Sequence, residues 1–474
     1  MAEPTYEQLL GIIAAKDRQI VQLQAHDRQL ETRVRQWEAQ NAGLRSRVVQ
    51  LERLLEKATR DGKRQAAPFS KGPPKEKPKK PGRKSGTKYG VKAHRPLPDQ
   101  EPDEIVNVPL PAHCDECGGA VDGDHVDQQF QMEIPRRPIL RRFDIHIGKC
   151  RRCGKRFRPR HALQTSDALG AAAAQLGPDL QAMIAMMKAK YGLSYGNICG
   201  LLKDGFGISV TRGGAAHAVL RAGTRVRPLY EVLKQLVRRA NAVYPDETGW
   251  KVGGWLQWMW TFVTDTVTIY VIRPSRGKDV PREILGADYD GRLIHDGWSP
   301  YDSFKCAIHQ QCLEHLLRRA TELLEKATRT TTRFPRNVKK FLQDSLALRD
   351  RRDAGKISDH GLALARGRLE KRLDKLLAHK GTQKDNRRFK NHLAKHRREI
   401  LTFLYHADIE ATNWPAEQAI RPAVRNRKVF GGNRTWSGAA AQESLGSVLT
   451  TFGKNAIASM DMLSRILCRP MPAA

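Results

Sequence analysis

The first hydrophobic pattern in the chain is a heptad repeat over residues 5–58. Branched apolar residues such as Ile13, Ile20 and Val34 occupy position a, and leucine occupies most d positions. This choice favours a parallel two-stranded coiled coil, in which Asn41 at position a would fix the register by pairing with its counterpart. We therefore predict a homodimer through this segment. The alternative is a single amphipathic helix that packs on its own chain.

A second pattern, of short β-branched and aromatic runs, occupies the middle of the chain. Residues 255–264 and 268–272 predict two strands joined by a turn. A short strand is predicted at residues 242–244, with Asp246 at its end, and a short apolar run of the same kind ends at Asp296. A carboxylate at the end of a strand is held by a rigid sheet, which suits metal binding.

Helical patterns surround the predicted sheet. Residues 178–239 read as helices, and the segments 180–190, 195–203 and 211–222 resemble a helix-turn-helix unit. Reading of DNA and simple scaffold packing explain this pattern equally well. Residues 312–408 are predicted to be all helical, which makes them an insertion between two parts of the sheet region.

The charge of the chain indicates a polyanionic partner. The formal net charge is +33 and the pI is about 10.1, so nucleic acid is the simplest partner and a membrane surface is the competing one. The sequence has no apolar run of about 18 residues and no signal peptide. We expect a cytoplasmic, nucleoid-associated protein. The basic, proline-rich residues 59–98 are expected to form a linker, either as a solvated spacer or along DNA phosphates.

Two Cys-x-x-Cys-Gly knuckles within residues 99–161 predict a small zinc ribbon, with strands at 127–134 and 139–147. Four thiolates form a closed tetrahedral structural site for Zn²⁺, and a glycine after each knuckle lets the chain turn back. His113 and His161 are possible substitute ligands. The candidate ligands are Cys114, Cys117, Cys150 and Cys153. Basic residues crowd the second knuckle and point it towards the DNA backbone, among them Arg151, Arg152 and Arg156.

A third acid completes the candidate metal site. Glu417 lies in a run that reads as a helix start, with Asn413 as the cap and Pro415 in the first turn. The rival acids are Glu410, expected in a turn, and Glu443, expected in a later helix. The candidate site therefore consists of two aspartates that follow predicted strands and one glutamate in a predicted helix late in the chain.

The motifs around these acids resemble those of DDE transposases of the insertion sequence sixty-six family, in order and spacing over nearly the whole chain. They are Asp246-Glu-Thr-Gly-Trp250, Asp296-Gly-Trp-Ser-Pro-Tyr301 and Asn413…Glu417…Arg421. The chain departs from that pattern at Trp414, where asparagine is usual, and at Gln418, where arginine is usual. These departures concern flanking DNA contacts rather than the acids.

The resemblance implies a multidomain α+β protein with a ribonuclease H-like α/β catalytic domain. That domain would comprise residues 241–311 and 409–474, interrupted by the helical insertion, and would follow a helical DNA-binding region at 162–240. It implies that Asp246, Asp296 and Glu417 are catalytic and hold two Mg²⁺ ions about 3.5–4 Å apart. The expected DNA-binding residues of the last part are Arg421, Arg427 and Lys428. Cys312 and His315 look like the Cys-x-x-His element that many such enzymes carry, and packing beside the site is favoured over a second zinc.

The expected function follows from the resemblance. A transposase of this kind would bind the terminal inverted repeats of its element, cut the DNA 3′ ends and join them to target DNA. Its partners would be double-stranded DNA, a second copy of the chain and possible accessory proteins from the same element. The alternatives are a non-catalytic DNA-binding regulator on the same scaffold and a metal-dependent nuclease without strand transfer.

Overall fold

The computed structural model describes residues 176–468 apart from 328–330 and 379–382, most of residues 98–164, and positions between 16 and 51, chiefly 29–44. The chain divides into two compact units, Met1–Met132 and Glu133–Ala474. The predicted linker, up to residue 97, lies outside the described residues.

In the first unit, residues 29–44 form a helix, which we name α1. The side chains of Leu30, Val34, Trp37 and Leu44, which occupy a and d positions of the heptad repeat, are exposed in the single chain. An apolar stripe of this kind remains available for a partner helix. Pairing through residues 5–58 stays a prediction.

The predicted ribbon is less regular than expected. In the second unit, a minimal antiparallel pair of strands encloses the second cysteine knuckle, β1 (Gly148–Lys149) and β2 (Arg156–Phe157). The knuckle turns at Gly154, which has a φ of +72°. The prediction of strands at 127–134 and 139–147 is wrong for the described residues of these segments, which have no regular structure. Their apolar side chains, such as Leu140, are exposed and have no sheet face to cover.

A five-stranded mixed sheet forms the centre of the second unit, in the order β5-β4-β3-β6-β7. Strands β3, β4 and β5 are antiparallel neighbours, whereas β6 pairs parallel to β3 and β7 parallel to β6. The strands are β3 (Ala242–Val252), β4 (Trp255–Val263), β5 (Thr268–Arg273), β6 (Arg292–His295) and β7 (Ile308–Gln311).

The helices of this unit, together with its sheet, confirm the mixed α+β class. They are α2 (Pro178–Ala189), α3 (Tyr195–Phe206), α4 (Arg212–Arg238), α5 (Asp279–Leu285), α6 (Leu313–Glu325), α7 (Arg333–Asp353), α8 (Asp359–Leu377), α9 (Lys384–Lys395), α10 (Trp414–Phe430), α11 (Trp436–Lys454) and α12 (Ser459–Cys468). Helices α6 to α9 are the insertion that the sequence predicts. In the described part of the chain, no helix combines the length and the apolar character needed to cross a membrane.

Helix α4 acts as a scaffold for the sheet. It ends at Arg238, within the range 178–239 that the sequence predicts to be helical, and its buried residues join one core with α2, α11, α12 and one side of the sheet. The Tyr230 hydroxyl donates to the carbonyl of Tyr270 on β5 over 3.0 Å. Gly223 lies so close to Ala441 that a side chain there would collide with it. Packing therefore accounts for α4, while DNA contact by this region stays a prediction.

Helix α11 covers the free edge of the sheet. Three side chains spaced four residues apart, Glu443, Ser447 and Thr451, accept the backbone N–H groups of Ile272, Tyr270 and Thr268 on β5. Four helical residues advance about 6 Å and two strand residues about 6.6 Å, so the two periodicities match over this length. The edge strand is thus protected from pairing with another chain.

Candidate active site

Asp246 lies inside a strand rather than at its end. The prediction that the strand stops before Asp246 is wrong, because β4 pairs with β3 from Tyr244 to Val252 and extends it. The parallel pairing of β3 with β6, however, covers only Ala242 and Val243. Asp246 therefore lies beyond the point where β3 and β6 stop pairing, and Asp296 directly follows β6 as predicted.

The charges of Asp296 and Glu417 act on Asp246, so the three predicted acids influence one another. Burial and the neighbouring charges of Glu247, Asp296 and Glu417 raise the pKa of Asp246 to about 7. The acids come from β3, from the turn after β6 and from the first turn of α10, so the fold brings together positions that are distant in the sequence.

The start of α10 is tied directly to the strand that carries Asp246. Asn413 occupies the predicted cap position, but its side chain makes no capping bond to the helix. Instead its Nδ2 donates to the carbonyl of Pro245 over 2.7 Å, and its backbone N–H donates to Cys312 Sγ over 3.1 Å. These two bonds set the position of Glu417 relative to Asp246.

Glu417 also faces the Cys-x-x-His element. The ligand atoms of Cys312, His315 and Glu417 lie within 4.8 Å of one another, and His315 Nδ1 is 3.7 Å from Glu417 Oε1. Both of these atoms are buried, and neither makes a hydrogen bond within the described residues. A buried carboxylate oxygen without a partner is costly. The open Glu417 oxygen, together with the carboxylates of Asp246 and Asp296, offers the oxygen ligands that a hard divalent cation such as Mg²⁺ prefers.

A fourth acid beside the site was missed by the sequence reasoning. The Glu247 side chain is only 3% exposed; Arg276 donates to its Oε1 from Nε over 3.0 Å and from Nη2 over 2.7 Å, and the Tyr301 hydroxyl donates to its Oε2 over 3.3 Å. Burial raises the pKa of Glu247, whereas its bond to Arg276 lowers it. Adjacent residues of a strand face opposite sides of the sheet. The sequence therefore gave no reason to place Glu247 in the same site as its neighbour Asp246.

A chain of hydrogen bonds through two histidines supports the turn that follows β6. The Gly297 N–H donates to His295 Nδ1 over 3.1 Å, His295 Nε2 lies 2.9 Å from His309 Nδ1, and His309 Nε2 lies 2.8 Å from the carbonyl of Phe304. Burial and the nearby His309 lower the pKa of His295 to about 3, so its ring is neutral. One tautomer satisfies all four ring nitrogens: each ring accepts at Nδ1 and donates from Nε2.

This histidine chain holds the backbone next to Asp296 in place. Gly297 has a φ of +85°, and a side chain there would collide with Gln311. Although His295, His309 and Glu399 have ligand atoms close to one another, the ring nitrogens are already engaged. We therefore interpret this group as support for the Asp296 turn rather than as a metal site.

The predicted DNA-binding residues occupy different environments. Arg421 and Lys428 of α10 are exposed, as are Arg151, Arg152 and Arg156 beside the second knuckle. Arg427 instead donates from Nη1 to Thr248 Oγ1 over 3.2 Å and to the carbonyl of Gly249, and burial lowers its pKa. Its guanidinium therefore ties the far end of α10 to β3.

The two rival acids lie in other surroundings. The Glu410 carboxylate is 58% exposed and lies 3.7 Å from Arg349. The buried Glu443 Oε1 accepts from the Ile272 N–H over 2.6 Å and from Arg273 Nη1 over 2.9 Å. Neither acid is among the charges that principally shift the pKa of Asp246.

The predicted zinc ligands are only partly described. Cys114 lies outside the described residues, whereas Cys117, Cys150 and Cys153 are described. Hydrogen bonds from the backbone of Cys153 and Arg152 lower the pKa of the Cys150 thiol, which favours the thiolate that a metal needs. Zinc binding stays a prediction.

Comparison with known proteins assigns the chain to a class. A family model described as "Transposase IS66 family" matches residues 173–441, a range that includes all three acids. Because this match covers more than half of the sequence, the chain belongs to the IS66 family of transposases, as the sequence motifs indicated. A search of curated proteins gave no match. Membership in a transposase family implies DNA as a partner.

Proposed function

We propose that the chain cuts the 3′ ends of its own mobile element and joins them to target DNA, with Asp246, Asp296 and Glu417 as its catalytic metal ligands. One observation carries this proposal. The charges of Asp296 and Glu417, which come from two other elements, add to burial and to Glu247 in raising the pKa of Asp246, and Glu417 Oε1 is buried without a hydrogen bond in the described chain. A cluster of negative charge of this kind needs a cation.

The chemistry assigns a separate task to each part of the site. Two bound Mg²⁺ ions would activate the attacking water or 3′-hydroxyl and stabilise the leaving 3′-oxygen. The three acids hold the metal position, Arg276 offsets the charge of Glu247, and the histidine chain holds the turn beside Asp296. No covalent protein–DNA intermediate is needed, so we assign no serine or tyrosine nucleophile.

Binding of the terminal inverted repeats would use basic residues on the surface. Arg421 and Lys428 lie on the helix that carries Glu417, and Arg151, Arg152 and Arg156 lie beside the second knuckle. Exposed guanidinium and ammonium groups bind backbone phosphates. Arg427, also predicted to bind DNA, would contribute by fixing α10 on β3.

Two further parts of the chain complete the proposal. Cys114, Cys117, Cys150 and Cys153 would hold a structural Zn²⁺, and residues 5–58 would join two copies so that two element ends are brought together. Native mass spectrometry should find about one zinc per chain. Light scattering should find a dimer that becomes a monomer when residues 1–58 are removed. Accessory proteins of the same element are compatible with this arrangement.

The decisive experiment is incubation of purified protein with DNA from the end of its element and Mg²⁺, with products sized on a denaturing gel. The proposal predicts a nicked 3′ end and a joined product with a second DNA. Binding without nicking would indicate a regulator on the same scaffold, and nicking without joining would indicate a nuclease. Either result would contradict the proposal.

A further inference from the structure

Two of the three candidate metal ligands have an exposed tryptophan close by. Trp298 follows Asp296 by two residues, its backbone N–H donates to Asp296 Oδ1 over 2.9 Å, and the residue is 37% exposed. Trp414 precedes Glu417 by three residues and is 53% exposed. Single exposed apolar residues are common. Two tryptophans, each fixed beside a different acid of one site, are a more specific arrangement.

An arginine lies against the ring of each tryptophan. The guanidinium carbon of Arg276 lies 4.2 Å from the centre of the Trp298 ring and 4.7 Å from that of Trp258, so Arg276 is shared between two rings. The buried Glu247 carboxylate anchors Arg276 through two hydrogen bonds. Trp298 is therefore held in a fixed orientation while part of its surface stays open to solvent.

Trp414 is supported in a similar way on α10. The guanidinium carbon of Arg421 lies 5.0 Å from the centre of its ring. Residues 414, 417 and 421 are spaced three and four apart, so Trp414, Glu417 and Arg421 share one face of the helix. The aromatic surface is thus carried by the helix turn that carries the third acid.

We propose that Trp298 and Trp414 are stacking sites for unpaired nucleobases next to the phosphate that is cut. This inference rests on the proposed function, since a phosphate held at Asp296 and Glu417 would place its neighbouring nucleotides against the residues that adjoin these acids. The faces of a base within a duplex are covered by its neighbours. Only a base that has left the helix, or one in a single-stranded end, offers a face to an aromatic ring.

The structure gives two reasons to choose a nucleobase as the occupant. The chain is strongly basic and belongs to a family that acts on DNA, so the strand that enters this site is nucleic acid. A ring fixed in advance by an arginine loses little freedom on binding, which improves affinity for a flat partner. Stacking of this kind tolerates any base sequence, because every base has an aromatic face.

The test compares two DNA probes with Ca²⁺ in place of Mg²⁺, since Ca²⁺ also binds oxygen ligands but at longer distances and in a looser geometry. A denaturing gel checks that the probes stay uncut, so that binding is measured apart from cutting. One probe is a duplex from the element end with a short unpaired 3′ extension that contains 2-aminopurine, and the other has abasic residues in that extension. The abasic probe keeps the phosphates and removes the stacking surfaces. The variants are Trp298→Ala, Trp414→Ala and Trp298→Phe, with Trp255→Ala as the control at another exposed tryptophan.

We expect the wild-type protein to bind the base-bearing probe about tenfold more tightly than the abasic probe, with quenched 2-aminopurine fluorescence. Trp298→Ala and Trp414→Ala should each lower this ratio and leave affinity for the abasic probe unchanged. Trp298→Phe should restore part of the ratio, and Trp255→Ala should match the wild type. Equal binding of both probes by the wild-type protein, or an unchanged ratio in both alanine variants, would overturn the inference. Failure to bind either probe would overturn the proposed function as well.

Discussion

Glu417 on α10 and Glu443 on α11 lie in neighbouring helices, yet their carboxylates have opposite surroundings. Glu443 is fully engaged: its Oε1 accepts from Ile272 and Arg273, and Arg227 lies 3.6 Å from its Oε2. Glu417 Oε1 is also buried, although its side chain as a whole is 21% exposed, and it makes no hydrogen bond to any described residue. Glu443 is used by the fold, whereas Glu417 is left open for a ligand.

This contrast shows how a buried acid can be interpreted. Glu443 takes the place of a missing strand partner at the edge of β5. A carboxylate in this role needs hydrogen-bond donors or cations around it, because unpaired buried charge is costly. A carboxylate that binds a metal must keep an oxygen free of competing donors. Burial alone does not distinguish the two cases, but the hydrogen bonds do.

The largest effect is expected from neutralising the acids of the site. Glu417→Gln, Asp246→Asn and Asp296→Asn each keep nearly the same shape and remove one ligand charge, so each should lower single-turnover cleavage by about 1,000-fold or more. Affinity for end DNA should hold or rise slightly, because these acids repel phosphates when no metal is bound.

The matched control for these variants is Glu410→Gln, which changes an exposed carboxylate. It should cut at the wild-type rate. Near wild-type cleavage by Glu417→Gln would remove this acid from the site.

The second effect is on stability and tests Glu443. Glu443→Gln removes one of the two carboxylates that face Arg273 and Arg227, which keep Glu283 and Glu231 as partners. The free energy of unfolding should therefore fall by about 2 kcal/mol, as for the loss of a charged hydrogen bond. Urea denaturation followed by circular dichroism measures this change. Folded Glu443→Gln should still cut DNA, and a stable but inactive variant would reverse the roles of the two acids.

A smaller effect is expected from the histidine chain. His309→Phe removes both hydrogen bonds of this ring and should lower cleavage about 10- to 100-fold, with a higher Mg²⁺ concentration needed for half-maximal rate. His309→Gln keeps one acceptor and one donor and should recover part of the loss. An unchanged Mg²⁺ dependence in His309→Phe would show that the chain supports the fold alone.

The smallest effect is a pH dependence of stability. Since the fold raises the pKa of Asp246 to about 7, native metal-free protein binds this proton more tightly than the unfolded chain does. This contribution is present below the ordinary aspartate pKa and is lost as pH rises towards 7. The Tm of metal-free protein should fall by a few degrees between pH 5 and pH 8, and Mg²⁺ should raise it more at pH 8.

Burial also raises the pKa of Glu443, which gives a pH dependence of the same sign. Comparison with Asp246→Asn separates the contribution of Asp246 from that of Glu443. The asparagine variant should lose part of the pH dependence and most of the response to Mg²⁺. An identical response to Mg²⁺ in the variant would place metal binding elsewhere.

Sequence reasoning worked where the signal is local. Strands β4 and β5 end within one residue of the predicted positions, and α10 begins beside Asn413 as predicted, because apolar runs, turns and caps are short-range features. The predicted ribbon strands failed for the opposite reason. Alternating apolar residues at 139–147 form no strand without a partner face, and no local pattern shows whether such a partner exists.

The supporting part of the site could not have been predicted in the same way. The contacts of Glu247 with Arg276 and Tyr301, and of His295 with His309, join residues that are far apart in the sequence. Even Asp246 was misplaced at a strand end, because its strand is extended by pairing with β4. Tertiary contacts decide these features, and the local pattern of a single sequence does not show which distant residues will meet.

The cover that α11 provides for the edge of the sheet has a consequence for the synthesis of this protein. A ribosome delivers Asp246 and Asp296 early, the Glu417 helix much later, and α11 directly after it. Until α11 emerges, the N–H groups of β5 lack the side chains that accept them, and the core it shares with α4 is incomplete. A chain interrupted within the insertion thus lacks both Glu417 and the helix α11 that covers β5. We expect such a fragment to present an uncovered strand edge, which favours pairing with other chains.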